Sequence, residues 1–250
     1  MLSYKNTADE IVRANPEMAV LAIGSIEQHG PHLPLGTDWM VATEYGARVA
    51  EALGAYSLPA LPYSTCREHM GKKGSVWIDP DVFYDMVMSI LMCLKEQGFK
   101  KVVILPCHGG IFILPPIIRQ VNAKHNPDFM VALVDEAIMS STFGSGNSTT
   151  PPDRIEVHAG AGETSSILFI APETVKMELA EPGWPTVPRP YLNYGSVFRA
   201  SPNGVWGDPT TATAERGREA MELRTERAVE VAKRIFAYME GKEKFGYSYF

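Results

Sequence analysis

The residues best suited to chemistry lie in one Gly- and Pro-rich segment, Gly24–Asp38, directly after an apolar run. Glu27 and His29 are two residues apart, so an extended backbone would point both side chains the same way. Asp38 follows later in the segment, and the glycines and prolines before it allow the chain to return. Carboxylates and imidazoles together suit a divalent transition ion such as zinc or manganese. This segment therefore predicts part of a metal site.

Two later segments carry more residues of the same types. His108 follows a second apolar run and precedes two glycines, where the backbone must turn sharply or approach another group closely. Glu163 follows His158, with two glycines between them. The predicted ligand set has three carboxylates and two imidazoles: Glu27, His29, Asp38, His108 and Glu163. This set is rich for one ion and suits two ions about 3.5–4 Å apart, bridged by a carboxylate and a water.

Buried strands are predicted from short apolar runs. These runs are Met18–Ile23, Ser57–Leu61, Lys101–Pro106 and Phe129–Val134. Helices are predicted from apolar residues at helical spacing and from capping residues. They cover Leu2–Arg13, Asp38–Leu53, Asp79–Gln97, Ile113–Lys124 and Ala212–Tyr238. Strands that alternate with helices predict an α/β fold with a largely parallel sheet, whose functional loops lie at the carboxyl ends of the strands.

Irregular structure is predicted for two stretches that are rich in Gly, Pro, Ser or Thr. These are Ser140–Asp153, expected to be a loop, and Pro182–Pro209. A long irregular stretch inside a compact chain is usually functional or forms an interface. The 250-residue length and the lack of an evident linker predict a single domain over residues 1–250.

Composition narrows the class of protein. The net charge of −6 argues against a nucleic-acid binder, which usually has a basic face. No apolar run reaches the roughly 18 residues that a membrane span needs, and Met1–Asn15 mixes charged with apolar residues, unlike a signal peptide. The three cysteines suggest no disulfide framework. We therefore expect a soluble, cytoplasmic protein.

Other interpretations of individual residues stay open at this point. Cys107 invites a nucleophilic mechanism, but neighbours on a strand point to opposite faces, so Cys107 is expected to be packed rather than paired with His108. Glu163 could simply be a favourable acid in the first turn of a helix. His69 lies in a solvated loop or at a pocket rim, and His125 is expected at the surface.

The motifs in this order closely resemble those of the creatininase (creatinine amidohydrolase) family. The segment Gly24–Asp38 is the most specific of them, and three shorter motifs follow with the family's order and spacing. These are His108-Gly-Gly, His158-Ala-Gly-Ala-Gly-Glu163-Thr and Gly204-Val-Trp-Gly-Asp-Pro209. The resemblance implies a three-layer α/β/α sandwich, a centre of two divalent ions (zinc, manganese or both), hydrolase activity and a homo-oligomer, often a hexamer.

The resemblance also implies roles for individual residues. Glu27 and His108 would bind one ion, His29 and Glu163 the other, and Asp38 would bridge them. Creatininase itself has a ligand at the position of Gly110, a role that Glu163 would take here. The predicted catalytic residues are His158, as proton donor to the leaving group, and Glu163. The predicted substrate contacts are His32, His69, Gly109 and Gly110.

The function predicted from the sequence is therefore that of a dinuclear metal-dependent hydrolase. A metal-bridging hydroxide would attack the carbonyl of a small cyclic amide and break its C–N bond. One alternative within the family is a ring-opening C–C hydrolase of a cyclic diketone such as 3-dehydro-scyllo-inosose, and other relatives act on formamide-type or peptide amides. From a different class, a non-catalytic binding module is a further alternative. The expected partner is a small-molecule substrate, with no nucleic acid and no membrane.

Overall fold

The structure, a computed structural model, describes residues 1–143 and 156–241. The strands in these ranges are β1 (Leu2–Ser3), β2 (Met18–Ile23), β3 (Tyr56–Ser57), β4 (Lys101–Pro106) and β5 (Met130–Leu133). The α-helices are α1 (Ala8–Ala14), α2 (Thr37–Leu53), α3 (Pro80–Glu96), α4 (Leu114–His125), α5 (Glu136–Phe143), α6 (Ala161–Ile170) and α7 (Ala214–Glu240).

The five strands form one parallel sheet in the order β1-β3-β2-β4-β5. Strands β2 and β4 pair along their whole length, from Met18 with Lys101 to Ile23 with Pro106. The chain leaves β2 toward β3 on one side and later returns to form β4 on the other. The order of connection therefore reverses between β2 and β4, and in open α/β sheets ligands bind at the carboxyl ends of strands at such a point.

The apolar side chains of the central strands alternate between two cores, one on each face of the sheet. In β2, Val20 and Ala22 pack with α2 and α7, whereas Leu21 and Ile23 pack with α3 and α4. Strand β4 divides its side chains in the same way. Because both faces are covered, these strands must be apolar at every position, which explains their unbroken apolar runs. The predicted three-layer α/β/α fold is confirmed.

Helix ends agree closely with the sequence prediction. Helix α2 ends before Gly54, which adopts a left-handed conformation with φ of 63°. Helix α3 begins with Pro80 in its first turn, where the missing N–H costs nothing, and Gly98 follows it with φ of 91°. Within the described residues, no helix is long and apolar enough to cross a membrane.

Three predicted elements differ from the structure. The stretch Leu2–Arg13 begins as a strand, and its helix starts only at Ala8, where Thr7 and Glu10 form a capping box. Strand β3 is shorter than predicted because Pro59 has no N–H to donate to the sheet. The predicted loop Ser140–Asp153 begins as helix, since α5 continues through Phe143; its remaining residues lie outside the described part of the chain.

The stretch Pro182–Pro209 is irregular, as predicted. Its regular structure is limited to short 3₁₀ turns, at Arg189–Tyr194, at Val197–Arg199 and at one that begins with Pro209. Trp206 pairs with His158 in an isolated antiparallel bridge. The stretch therefore runs back to the end of the sheet where the polar motifs lie.

Gly24 gives the first prediction, because β2 leaves the sheet there against the start of α2. A Cβ at Gly24 would lie 2.6 Å from main-chain atoms of Asp38 and Trp39, which cannot rotate away. We expect Gly24→Ala to lower the free energy of unfolding by about 1–3 kcal/mol in urea denaturation. Gly162→Ala is the matched control in α6, where nothing lies within 4 Å, and it should be neutral or stabilising. Equal losses in both variants would contradict this account.

Candidate metal centre and active site

Three segments of the chain meet at the carboxyl ends of β2 and β4: the loop that runs from β2 into α2, the residues after β4, and the start of α6. Glu27 and His29 lie in the loop after β2, and Asp38 lies in the first turn of α2. His108 lies just beyond β4, and Glu163 lies in the first turn of α6. The structure therefore brings together all five residues that the sequence singles out as ligands.

Asp38 lies between the other four residues. Its Oδ1 is 3.2 Å from His29 Nε2, and its Oδ2 is 3.2 Å from His108 Nδ1. His29 Nε2 is also 3.7 Å from Glu163 Oε2, and His108 Nδ1 is 3.1 Å from Glu27 Oε2. The five side chains thus form two half-sets, Glu27 with His108 and His29 with Glu163, that share one carboxylate.

Glu27 supplies the observation that tests whether a cation fits. It is fully buried, and neither of its carboxylate oxygens has a hydrogen bond within the described residues. Imidazole nitrogens lie 3.2 Å from Oε1 and 3.1 Å from Oε2 without hydrogen-bond alignment. A cation between these oxygens and nitrogens would offset the cost of burying an unsatisfied carboxylate. Among residues 1–143 and 156–241, three groups of side chains bring their ligand atoms within 4.8 Å of one another: Glu27–His69–His108, Glu27–His29–His158 and His29–Asp38–Glu163. The donor set therefore fits divalent ions.

His29 and His108 each have one ring nitrogen that faces an oxygen outside the centre, and these oxygens favour one tautomer of each ring. His29 Nδ1 lies 3.1 Å from the main-chain oxygen of Glu27, which only accepts, so the neutral ring keeps its proton there. His108 Nε2 lies 3.2 Å from Glu68 Oε1, a charge contact without hydrogen-bond alignment that favours the proton on this nitrogen. The lone pairs of His29 Nε2 and His108 Nδ1 then face the carboxylates, as metal ligands require.

The electrostatics of the centre reflect an excess of negative charge. Burial disfavours the charged form of His29, but Asp38 outweighs this effect and raises its pKa to about 10. The pKa of His108 is also raised well above the usual range: burial acts to lower it, but Glu27 and Asp38 outweigh that effect. The pKa of Asp38 is lowered, because His29 and His108 outweigh the effect of burial, which acts to raise it. A centre that draws protons onto two buried imidazoles is one that attracts cations.

His158 differs from these two histidines. Its pKa is lowered well below the usual range, because burial and then the neighbouring His69 and His29 disfavour a charge. Its Nε2 lies 2.6 Å from the main-chain oxygen of Gln28, so the proton of the neutral ring is there. The free Nδ1 lies 3.7 Å from Glu27 Oε1. His158 therefore presents an unprotonated nitrogen to the centre.

The first turn of α6 explains how Glu163 reaches the centre. Glu156 Oε1 accepts a hydrogen bond from the N–H of Ala161, the first residue of the helix. Glu163 Oε2 accepts one of 2.5 Å from the N–H of Ala159, which places the carboxylate near His29. Both interpretations of Glu163 hold in the geometry: it is an acid in the first turn, and it faces the ligand group. Burial raises its pKa above the usual value, opposed by His29.

The four predicted substrate contacts fall in three places. His32 is buried, with Nε2 2.9 Å from Thr164 Oγ1 of α6. His69 is only 4 % exposed and lies 3.2 Å from Glu27 Oε1, so it belongs to the interior of the centre rather than to a solvated loop or a rim. Gly109 and Gly110 line a cleft of about 710 Å³ that opens beside the centre.

Glu68 was not singled out in the sequence, yet it contacts the centre directly. It lies in the 3₁₀ turn Arg67–His69, and its carboxylate occupies the space that a Cβ at Gly110 would overlap. This position lets it contact His108 Nε2 from outside. The available signal was an acid next to a histidine, together with a glycine two residues after His108.

Cys107 lies in an environment that disfavours its thiolate. Burial raises its pKa to about 11, although Arg224 favours the thiolate. Its Sγ points toward the main-chain oxygen of Leu105, 3.9 Å away. Because a thiolate is the reacting form of cysteine, this environment disfavours the nucleophilic alternative.

Comparison with known proteins gives the same picture over most of the chain. The creatininase family profile, described as creatinine amidohydrolase, matches residues 4–232. A mycofactocin precursor peptide peptidase of Mycobacterium ulcerans is 32 % identical over 219 residues, which cover 80 % of this chain and 78 % of the relative. A 3-dehydro-scyllo-inosose hydrolase of Thermotoga maritima is 27 % identical over 228 residues, covering 82 % and 73 %.

Solved structures share the fold. A creatininase mutant superposes with a TM-score of 0.76 at 21 % identity, covering 94 % of this chain and 98 % of the other. A manganese form of creatininase gives 0.73 at 22 % identity, covering 96 % and 99 %. At these sequence identities, the structural similarity is evidence for a shared fold alone.

Glu68 gives the prediction of this section. Carboxylates that hold a metal-binding histidine from outside typically contribute 10–100-fold to metal affinity. We expect Glu68→Ala to raise the apparent dissociation constant for Zn²⁺ by about that factor, measured by competition with a chelator of known affinity. Glu17→Ala is the control, because Glu17 pairs with Lys100 at the surface. Unchanged affinity in Glu68→Ala would show that its carboxylate does not support His108.

Proposed function

Because this chain belongs to the creatininase family of metal-dependent hydrolases, we propose that it hydrolyses an amide C–N bond at a centre of two divalent ions. The observation that carries the proposal is the position of Asp38, whose two oxygens each lie 3.2 Å from a different imidazole. Each imidazole is completed by another carboxylate, Glu27 or Glu163. One shared carboxylate between two half-sets is the arrangement that a pair of ions needs.

The proposed ligands follow from these half-sets. Glu27 and His108 would hold one ion, His29 and Glu163 the other, and Asp38 would contact both. Oxygen and nitrogen donors of this kind suit zinc and manganese alike. Ions held by these residues would supply a water of lowered pKa and would polarise a substrate carbonyl.

The protein's own residues supply the proton transfer. His158 Nε2 donates a hydrogen bond to the main-chain oxygen of Gln28. Nδ1 is therefore the nitrogen that would accept a proton and pass it to the departing nitrogen of the substrate. Its low pKa keeps that nitrogen unprotonated before the reaction. The second catalytic role, predicted for Glu163, would be that of a ligand beside His29, for which its carboxyl group must be deprotonated.

The cleft beside the centre bears on the size of the substrate. It has a volume of about 710 Å³ and is lined by Trp77, Phe112 and Arg189 as well as by Gly109 and Gly110. This volume suits a drug-sized molecule and exceeds what one small ring fills. The cleft adjoins the centre through Glu68, Gly109 and Gly110, so it offers room for the part of a substrate beyond the reacting bond. This favours an amide within an extended substrate, such as a short peptide, and the M. ulcerans relative is named as a peptidase.

A small cyclic amide, the substrate class predicted from the sequence, is the second candidate. It is supported by the family profile, which is described as creatinine amidohydrolase. The ring-opening hydrolase of a cyclic diketone has support from the T. maritima relative. A cytoplasmic location, a single domain over residues 1–250 and a homo-oligomer, hexameric by family resemblance, complete the proposal.

A substrate panel tests the proposal. Blocked short peptides, creatinine and a cyclic inositol-derived diketone are incubated with the Zn²⁺- or Mn²⁺-loaded protein and followed by mass spectrometry. We expect peptide cleavage that is abolished by a chelator and by Asp38→Ala, because removing Asp38 separates the half-sets. Asp81→Ala, an exposed acid in the first turn of α3, is the matched control and should stay active.

Three other outcomes of the panel would contradict parts of the proposal. Turnover of creatinine alone would select the cyclic amide over the extended one. Opening of the diketone without any amide cleavage would overturn the proposed C–N chemistry. Full activity of Asp38→Ala would overturn the two-ion centre.

His158 gives a separate prediction. Because it transfers a proton without belonging to the proposed ligand set, His158→Asn should lower kcat by about 10²–10⁴-fold. The amount of bound Zn²⁺ should not change. His125→Asn, at the end of α4, is the control. A His158→Asn protein with normal kcat, or one that has lost an ion, would contradict the assigned role.

A further inference from the structure

Gln28 lies between two proposed ligands in the sequence, and its side-chain amide has a fixed orientation. The amide is buried, and its Oε1 accepts a hydrogen bond of 3.0 Å from the N–H of Gly30. Its Nε2 lies 3.2 Å from the main-chain oxygen of Gly204. Since an N–H can only donate and a carbonyl can only accept, these two main-chain groups leave one orientation for the amide.

The amide nitrogen has two hydrogens and three close neighbours. Besides Gly204, Nε2 lies 3.0 Å from His69 Nδ1 and 3.1 Å from His158 Nε2. His158 Nε2 already carries the proton that it donates to the main-chain oxygen of Gln28. It cannot accept another, so the two hydrogens go to Gly204 and to His69 Nδ1.

His69 is therefore fixed as one tautomer. Its Nδ1 accepts, so its neutral ring has the proton on Nε2, which lies 3.2 Å from Glu27 Oε1. This contact lacks the alignment of a full hydrogen bond, so its attraction is mainly electrostatic. By position alone His69 qualifies as a metal ligand, in the group with Glu27 and His108. By tautomer it presents an N–H where a ligand needs a lone pair.

We propose that Gln28 and His69 are positioning residues for the metal centre: Gln28 holds His69 as an N–H donor toward Glu27 Oε1, and His69 is not a ligand. Glu27 Oε2, which faces His108 Nδ1, is then the oxygen left for an ion. The inference rests on the proposed two-ion centre and deepens it, because it decides which of the clustered histidines bind metal.

Gly204 adds a structural reason for one glycine of the third short motif. Its φ is +81°, a conformation that side chains rarely adopt, and a Cβ there would overlap Gln28 Oε1. The residue thus provides both the space for the amide and the carbonyl that orients it. This links the irregular Pro182–Pro209 stretch to the tautomer of His69.

Nitrogen-15 NMR of the Zn²⁺-loaded protein with labelled histidine tests the tautomer directly. We expect His69 to show a protonated Nε2 and an unprotonated Nδ1, and no Zn²⁺ coordination. Gln28→Glu replaces the donor with an acceptor and should move the proton to Nδ1. Ser75→Ala is the matched control, because Ser75 Oγ accepts from the main-chain N–H of Gln28 rather than from its side-chain amide. A His69 Nε2 coordinated to Zn²⁺ would overturn the inference.

Zinc titration gives a second measurement that does not depend on the Gln28 variant. We expect His69→Ala to keep two equivalents of Zn²⁺ at saturation with about 10–100-fold weaker binding, as for loss of an outer support. His69→Gln, which restores an N–H near the same place, should recover part of the affinity. His108→Gln, at a proposed ligand, should drop to one equivalent.

The outcomes separate this inference from the proposed function. Loss of one equivalent in His69→Ala would show that His69 is a ligand and would overturn the inference alone. Failure of the unsubstituted protein to bind Zn²⁺ or Mn²⁺ would overturn the proposed function, and the inference with it.

Discussion

The structure depends on the burial of two carboxylates, Glu27 and Asp38, at the carboxyl ends of the two central strands. Glu27 is fully buried and Asp38 is 3 % exposed. Taking such groups out of water costs several kcal/mol each unless cations or donors replace the lost hydration. Imidazoles around Glu27 offset part of this desolvation cost, and divalent ions would offset more of it. The raised pKa values of His29 and His108 and the convergence of the histidines follow from this one requirement.

The fold meets this requirement by placing loops at the carboxyl ends of β2 and β4, where the order of connection reverses. Strand β2 delivers Glu27 and His29, and β4 delivers His108 beside them, because the two strands pair in parallel register. Outer contacts then set the orientation of each group. Ser25 Oγ donates to Asp38 Oδ2 at 3.0 Å, Glu68 faces His108, and main-chain oxygens fix His29 and His158. Such outer contacts decide which nitrogen of each ring faces the centre.

Much of this could be predicted from the sequence, for identifiable reasons. The limits of β2 and β4 were predictable because strands buried on both faces must be apolar throughout. The ligand segments were visible because glycine and proline mark loops, and few residue types bind metal. The sequence marks Glu68 only as an acid next to a histidine, because its contact with His108 arises where a 3₁₀ turn meets the space left by Gly110. Helix α5 was missed because Ser and Thr favour loops in sequence, whereas packing on α7 decides the structure.

The central claim is that Asp38 joins two ion sites. It is tested most directly by anomalous diffraction from crystals of the protein prepared without chelator, with data at the zinc and manganese edges. The account predicts two peaks about 3.5–4 Å apart on either side of Asp38, one beside Glu27 and His108 and the other beside His29 and Glu163. A single peak that does not touch Asp38, or no peak after soaking in Zn²⁺ and Mn²⁺, would contradict it.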